Sequence, residues 1–414
     1  MRWTRAAGAG LAATALLTAF LPAGLASSSP IPGSGPVPGE VLPGPAGAAA
    51  GAPGSTGPCT TKVARAPSLS GVRTALVAAH GLPFGLAVPS RGQRAFVSGS
   101  LWVRIFETRS FAPELIRSVR LPPKDVLAGD TLTRSGRYLL GATGNGLMVI
   151  SVARAEHGSK HAVLGTLSVP GVQAGGIEVA ASRDGRYAFV SLEDTFELAV
   201  FNLHKALTRG FSKSDLVGTI PVGEAPVGLA VSPSGRYLYS TSEVAPLRHT
   251  IQGTLSVISV RRAERDPARS VISTVDAGCG TVRVVTSRSG SVVWVTARES
   301  DALLAFSAAR LRSDPQHARL AGVRVGEEPV GLALVDAGRR VVVADSDRSG
   351  VPGEKASLAV VSVAAALRHR PAVLGYLRAG QFPRQMALEP GGATLLVGNF
   401  ASAQLEAVDV ARLP

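Results

Sequence analysis

Three long polar side chains stand where a repeated phrase otherwise places glycine. Gly85, Gly129, Gly228 and Gly331 occupy one early position of the phrase, and Glu178, Arg283 and Gln385 occupy it in three further copies. Arg384 is adjacent to Gln385, and His80 precedes the first copy, in the loop before Pro83. A carboxylate, two guanidiniums and an imidazole gathered at one channel mouth could do general acid–base work on a small anion. His80, Glu178, Arg283 and Arg384 are therefore the candidate catalytic set, with Gln385 as a binding residue. Glu178 and Arg283 carry opposite charge, so a structural ion pair is the competing expectation.

Other chemistry is thinner. Asp345-Ser-Asp-Arg-Ser-Gly350 alternates oxygen side chains as calcium loops do, with Asp345, Asp347 and Ser349 as candidate ligands. The bidentate glutamate of such a loop belongs at its twelfth position, where Ala356 stands, and Glu354 falls two residues short. No cofactor other than calcium is suggested. Cys59 and Cys279 are too few for a structural zinc site. In an oxidising compartment they are candidates for a disulfide, with buried thiols as the alternative. The chain shows no Ser-His-Asp order, phosphate loop or metal-spaced His/Cys cluster.

The elements that must position these residues are short strands. Pro226-Val-Gly-Leu-Ala-Val-Ser-Pro-Ser-Gly-Arg-Tyr-Leu-Tyr239 reads as strand, tight turn, strand, and Leu255–Val260 follows as a third strand. The turn glycine recurs as Gly92, Gly136, Gly185, Gly235, Gly290, Gly338 and Gly392. A period of roughly 50 residues fits a four-stranded propeller blade better than a helical repeat. The last copy stops after a third strand, Ala407–Val410, while an orphan strand, Arg73–Ala79, precedes the first. Joining the two completes a ring and removes its open sheet edge. The expectation is an all-β, seven-bladed propeller of four-stranded antiparallel blades over residues 71–414.

Residues 1–26 read as a signal peptide: Arg2 and Arg5, an apolar run, then Gly24-Leu-Ala26. The run is short and broken by Pro22, which argues against a transmembrane anchor. Residues 27–70 read as a Pro/Gly/Ala-rich linker and lead-in. The formal charge of +14 is carried mainly by arginine. Sorted by loop, the hairpins and the loops before each outer strand are basic, including Arg261, Arg262, Arg265 and Arg269. The loops of the opposite face are rich in acids, so the disc should be electrically two-sided. The long inserts Glu243–Gln252 and Ser346–Lys355 are candidates for partner contact.

The Pro-x-Gly-Leu-Ala-Val-Ser-Pro-x-Gly-Arg-Tyr phrase, followed by Val-x-Val-Ile-Ser-Val, resembles the YVTN-type β-propeller repeat family over residues 71–413. Leu396-Val-Gly-Asn399 and Leu238-Tyr-Ser-Thr241 are the nearest forms of its tetrad. The resemblance implies a seven-bladed propeller, often exported, whose members mostly bind or scaffold. Lactonase-type relatives act through His, Glu and Arg at the central top, roles that His80, Glu178 and Arg283 could fill here. The expected function is an exported, non-catalytic binding or scaffold protein of a bacterial envelope, secreted or wall-associated and monomeric. Its partner would be a protein or an anionic envelope polymer; nucleic acid has no specific support. The alternative is a lactone-hydrolysing or lactonising enzyme.

Overall fold

The computed structural model describes Cys59 and residues 63–123, 126–171, 174–244, 252–349 and 355–414. The expected signal segment, most of the linker and the middles of both long inserts lie outside these residues.

Each blade begins with the chemistry of its first turn. The carbonyls of Ser182, Ser232 and Ser287 accept the N–H of Gly185, Gly235 and Gly290 at 2.9, 2.8 and 2.8 Å. Those glycines have φ of 71°, 74° and 71°, left-handed values that a Cβ disfavours. The same serine hydroxyls accept the N–H of Tyr187, Tyr237 and Val292 at 2.9, 3.1 and 3.0 Å, tying the turn to the returning strand. Blade six departs from this scheme because Val335 replaces the serine. There Asp336 and Ala337 also take positive φ, and the Asp336 carboxylate accepts from Arg339 and Arg340 to hold the turn.

Seven four-stranded antiparallel sheets result, six of them continuous in the chain. The seventh combines Pro383–Leu388, Thr394–Asn399 and Gln404–Asp409 with Thr74–Ala78 from the other end of the chain. Thr74 pairs with Val408 and Ala78 with Gln404, so the ring is closed as expected. The core lies between neighbouring blades: Val149 and Phe201 fall in one cluster, and Trp294 joins Val341 and Val361 in another. Among the described residues no helix is long and apolar enough to cross a membrane.

The lead-in does more than join segments. Residues 63–70 run beside the outer strand of blade six, Val373–Arg378, with a parallel bridge between Ser68 and Tyr376. Leu69 N–H donates to the Tyr376 carbonyl at 2.8 Å, Tyr376 N–H to the Pro67 carbonyl at 2.9 Å, and Tyr376 Oη to the Ala64 carbonyl at 2.8 Å. Gly375 makes room for this strap, since a Cβ there would lie 2.5 Å from Leu69 Cδ2. A disulfide joins Cys59 to Cys279 and ties the start of the strap to the strand that ends blade four.

Candidate functional site: the axial charge cluster and its channel

The innermost strands meet at the axis in three layers. The first contains Phe84, Ala128, Ile177, Val227, Val282 and Val330, and Arg384 takes the equivalent place in blade seven. These apolar side chains pack with Phe382 and Phe400 and close the axis on the side of the loops that enter the inner strands. The second layer is the glycine position. A Cβ on Gly228 would lie 2.4 Å from the Val282 carbonyl, and one on Gly331 would lie 2.2 Å from the Arg384 carbonyl, so close approach of the next blade demands glycine. The third layer is aliphatic, with Leu86, Val179, Leu229, Val284, Leu332 and Met386, except that Asp130 stands in blade two.

Where Glu178 and Arg283 replace glycine, a common backbone device holds them. In blades three, four and five the inner strand is irregular around this position. The freed N–H groups of Glu178, Gly228 and Arg283 donate to the hydroxyls of Ser191, Thr241 and Thr296, each at 3.0 Å. The Thr241 and Thr296 hydroxyls donate onward to the carbonyls of Val282 and Val330 in the next blade, at 2.6 and 2.7 Å. Ser191 does the same toward Val227 at 3.4 Å. One hydroxyl thus satisfies a bulge and fastens two blades. Its sequence signal is a Ser or Thr in the middle of an otherwise aliphatic second strand.

Glu178 Oε2 lies 2.8 Å from Arg283 Nη1, which also donates to the Val227 carbonyl at 3.0 Å. Both residues are 6% exposed. Burial raises the Glu178 carboxyl from its ordinary value, and Arg283 and then Arg384 oppose the shift. Asp130 is 3% exposed, and burial pushes its carboxyl well above the usual range; the nearby Ser98 hydroxyl opposes this and Glu178 adds to it. Neither Asp130 oxygen has a hydrogen-bond partner among the described residues. Sequence reasoning passed over Asp130, although one charge in an aliphatic register was its signal.

The Arg384 guanidinium lies 3.6 Å from the centroid of the Phe84 ring, with the Phe382 and Phe400 rings at 5.8 and 6.0 Å. Such stacking partly compensates its desolvation. Burial, and next Arg283, hold its pKa well below the ordinary value, while Glu178 and Glu193 oppose them. Arg384 therefore stands electrostatically between the axial pair and the loop face. On that face Arg298 donates to both Glu243 oxygens at 2.9 and 3.0 Å and to Glu299 at 3.0 Å. Glu193 is pushed up to about 7 by burial, Glu243 and Asp194, against Arg384 and Arg348. Arg298 and Arg348 bring positive charge to this face, where few cations were expected among the acids.

A channel of about 620 Å³ runs from the axial cluster to the hairpin face. Its floor includes Asp130, Glu178, Arg283 and Gln385, its walls are mainly aliphatic, and Arg134 and Arg183 stand at its mouth. The polar residues expected at the loop-side mouth thus face a channel that opens on the opposite side. Glu178, Arg283 and Arg384 are brought together. His80 is exposed, in a left-handed conformation with φ 56°, and makes no hydrogen bond or ion pair with them among the described residues.

The remaining candidates separate. Arg261, Arg262, Arg265 and Arg269 are all exposed, on the short helix Val260–Ala263 and the turns after it. Asp345 is buried within blade six, accepting from Ser357 Oγ at 2.9 Å. Ser349 is turned toward Glu328, to which its N–H donates at 2.7 Å. Among the described residues no three His, Cys, Asp or Glu side chains are grouped so as to hold a metal ion.

The chain matches no protein-family model and no curated protein. It is similar in fold to a chain titled Kuenenia stuttgartiensis hydrazine synthase, with TM-score 0.62 and 13% identity over 80% of this chain and 96% of that one. It is also similar to a chain of a mitotic checkpoint complex crystal structure, with TM-score 0.63 and 14% identity over 81% of this chain and 93% of that one. Both similarities are ones of fold, that of a β-propeller ring.

Proposed function

We propose that the protein is an exported, non-catalytic β-propeller that binds an anionic envelope polymer or an acidic protein surface through its hairpin face. One observation carries this reading: Arg91, Arg134, Arg183, Arg236 and Arg288 are all exposed on successive hairpins, and the exposed Arg261–Arg269 group adds to them. A rigid disc with one basic face steers anionic partners toward it, and the attraction weakens as salt screens it. A disulfide and the leader-like first residues support export. A similar fold in a checkpoint complex supports an interaction role. The lactone-acting alternative draws less support, because His80 stands apart from Glu178 and Arg283.

The test is retention on an anionic polymer matrix as a function of salt, with Arg261, Arg262, Arg265 and Arg269 changed together to Glu. Retention that falls with salt and collapses in the variant supports the reading. Retention insensitive to both overturns it.

A further inference from the structure

Blade seven lacks the connection that other blades have between their third and fourth strands, because those strands come from opposite ends of the chain. In blades three and four that connection does a second job. It sends Phe211 over Gly165 and Pro267 over Gly218, glycines on the outer strand of the preceding blade. A Cβ would lie 2.4 Å from Phe211 Cγ in the first case and 3.2 Å from Pro267 Cγ in the second. Gly165, Gly218 and Gly375 share one register, opposite Val149, Val200 and Val360. On blade six the strap supplies the plug that blade seven cannot. Leu69 covers Gly375, and it precedes Thr74 by the same interval as Phe211 precedes Leu216. The outer edge of blade six is therefore a socket for one apolar side chain on an extended segment.

The strap is lightly held in that socket. No residue from Val63 to Ala78 is fully buried. Its hold consists of the backbone bonds to Tyr376, the Tyr376 hydroxyl, a bond from Ala64 N–H to the Val325 carbonyl at 3.0 Å, and the packing of Leu69 and Val72. The Cys59–Cys279 bridge is its covalent anchor. A segment with so few buried contacts opens at low cost once its anchor is cut. Gly71, exposed and with nothing within 4 Å of the place of a Cβ, leaves the chain free to turn there.

We propose that the outer edge of blade six is a docking interface between two copies of this chain, uncovered by reduction of Cys59–Cys279. A dithiol reductant passes two electrons and two protons to the bridge, leaving two protein thiols and its own disulfide. The freed strap turns at Gly71, and residues 63–70 dock on Val373–Arg378 of the second copy with Leu69 over Gly375. A second copy fits because its strap carries the side chain and the hydrogen-bonding pattern that this edge already accepts. Each copy gives one strap and receives one, so the assembly closes at two. Re-oxidation then joins Cys59 of one copy to Cys279 of the other. The interface uses neither the hairpin arginines nor the axial channel.

Light scattering on the full chain after size exclusion gives the mass of the oxidised parent, the dithiothreitol-treated parent and the Cys59→Ser/Cys279→Ser variant. The expected result is a monomer for the oxidised parent and, in the other two, a dimer whose share rises with concentration. Leu69→Asp in the bridge-free variant should weaken dimerisation at least about tenfold, since the anchor can no longer seat over Gly375. A second measurement needs no variant. Parent chains labelled with 14N and with 15N are mixed, reduced, re-oxidised with oxidised glutathione and digested. Linked Cys59–Cys279 peptides with one light and one heavy member, enriched in the dimer fraction, support the proposal. A monomer at every concentration, linked peptides of a single isotope only, or a dimer indifferent to Leu69→Asp would each overturn it. Faster amide exchange in Val373–Arg378 without any dimer means that the strap merely opens, and overturns it too. Dimer formation and polymer retention are separate measurements, so either reading can fail alone.

Discussion

Glu178 Oε2 and Arg283 Nη1 lie 2.8 Å apart although the whole of blade four separates their strands in the chain. Gly129 leaves room for the carboxylate, since a Cβ there would lie 2.8 Å from Glu178 Oε1. The ion pair pins blade three to blade five through Arg283 Nη1, which also holds the Val227 carbonyl of blade four.

Removing one member of this pair should cost more than removing both. Arg283→Met leaves a buried carboxylate without its cation and should lower stability by about 3 kcal/mol. Adding Glu178→Leu should recover part of that loss, because neither charge is then stranded. Urea unfolding of the two singles and the double checks this; additive losses would mean that the pair carries no coupling.

Thr241 is the next test, because its hydroxyl accepts from Gly228 N–H and donates to the Val282 carbonyl. Thr241→Val keeps the shape and leaves two buried backbone groups unpaired, for an expected loss of about 2 kcal/mol. Thr241→Ser should retain most of the stability. Equal losses in the two variants would show that packing, and not the hydroxyl, holds these blades together.

The Cys59–Cys279 bridge spans a sequence separation of 220 residues. Cross-linking so long a loop restricts the unfolded chain, and losing it should cost about 3–5 kcal/mol. Reductant should lower the melting temperature of the parent and leave the Cys59→Ser/Cys279→Ser double variant unaffected. Amide exchange in residues 63–70 should rise in both cases as the strap loosens from blade six.

Glu193 gives stability a pH dependence of definite sign. Its pKa rises from 4.5 to about 7 on folding, so between those values the folded chain holds a proton that the unfolded chain has released. Stability therefore falls as pH rises through that window. Glu193→Gln should flatten the decline in melting temperature between pH 4.5 and about 7. Parallel curves for parent and variant would contradict the assigned environment.

Much of the architecture was readable from local patterns. The seven turn glycines all take positive φ, because a tight hairpin needs that conformation whatever surrounds it. The spare strand at the front and the missing strand at the back implied each other, since an open edge is unfavourable. The direction of the channel was not readable in this way. Gly85 and Glu178 share a register, but whether that register faces loops or hairpins depends on how seven inner strands crowd at the axis and which layer they plug.

The chain's own residues determined the number of blades and the closing strand, because turn chemistry and alternation act over a few residues. Tertiary structure alone decided that Arg283 meets Glu178 across blade four, that Asp130 is buried beside them, and that His80 stands outside the group. Those outcomes rest on burial and on distances between segments far apart in the chain, such as the 56 residues between Val227 and Arg283, which no local pattern encodes.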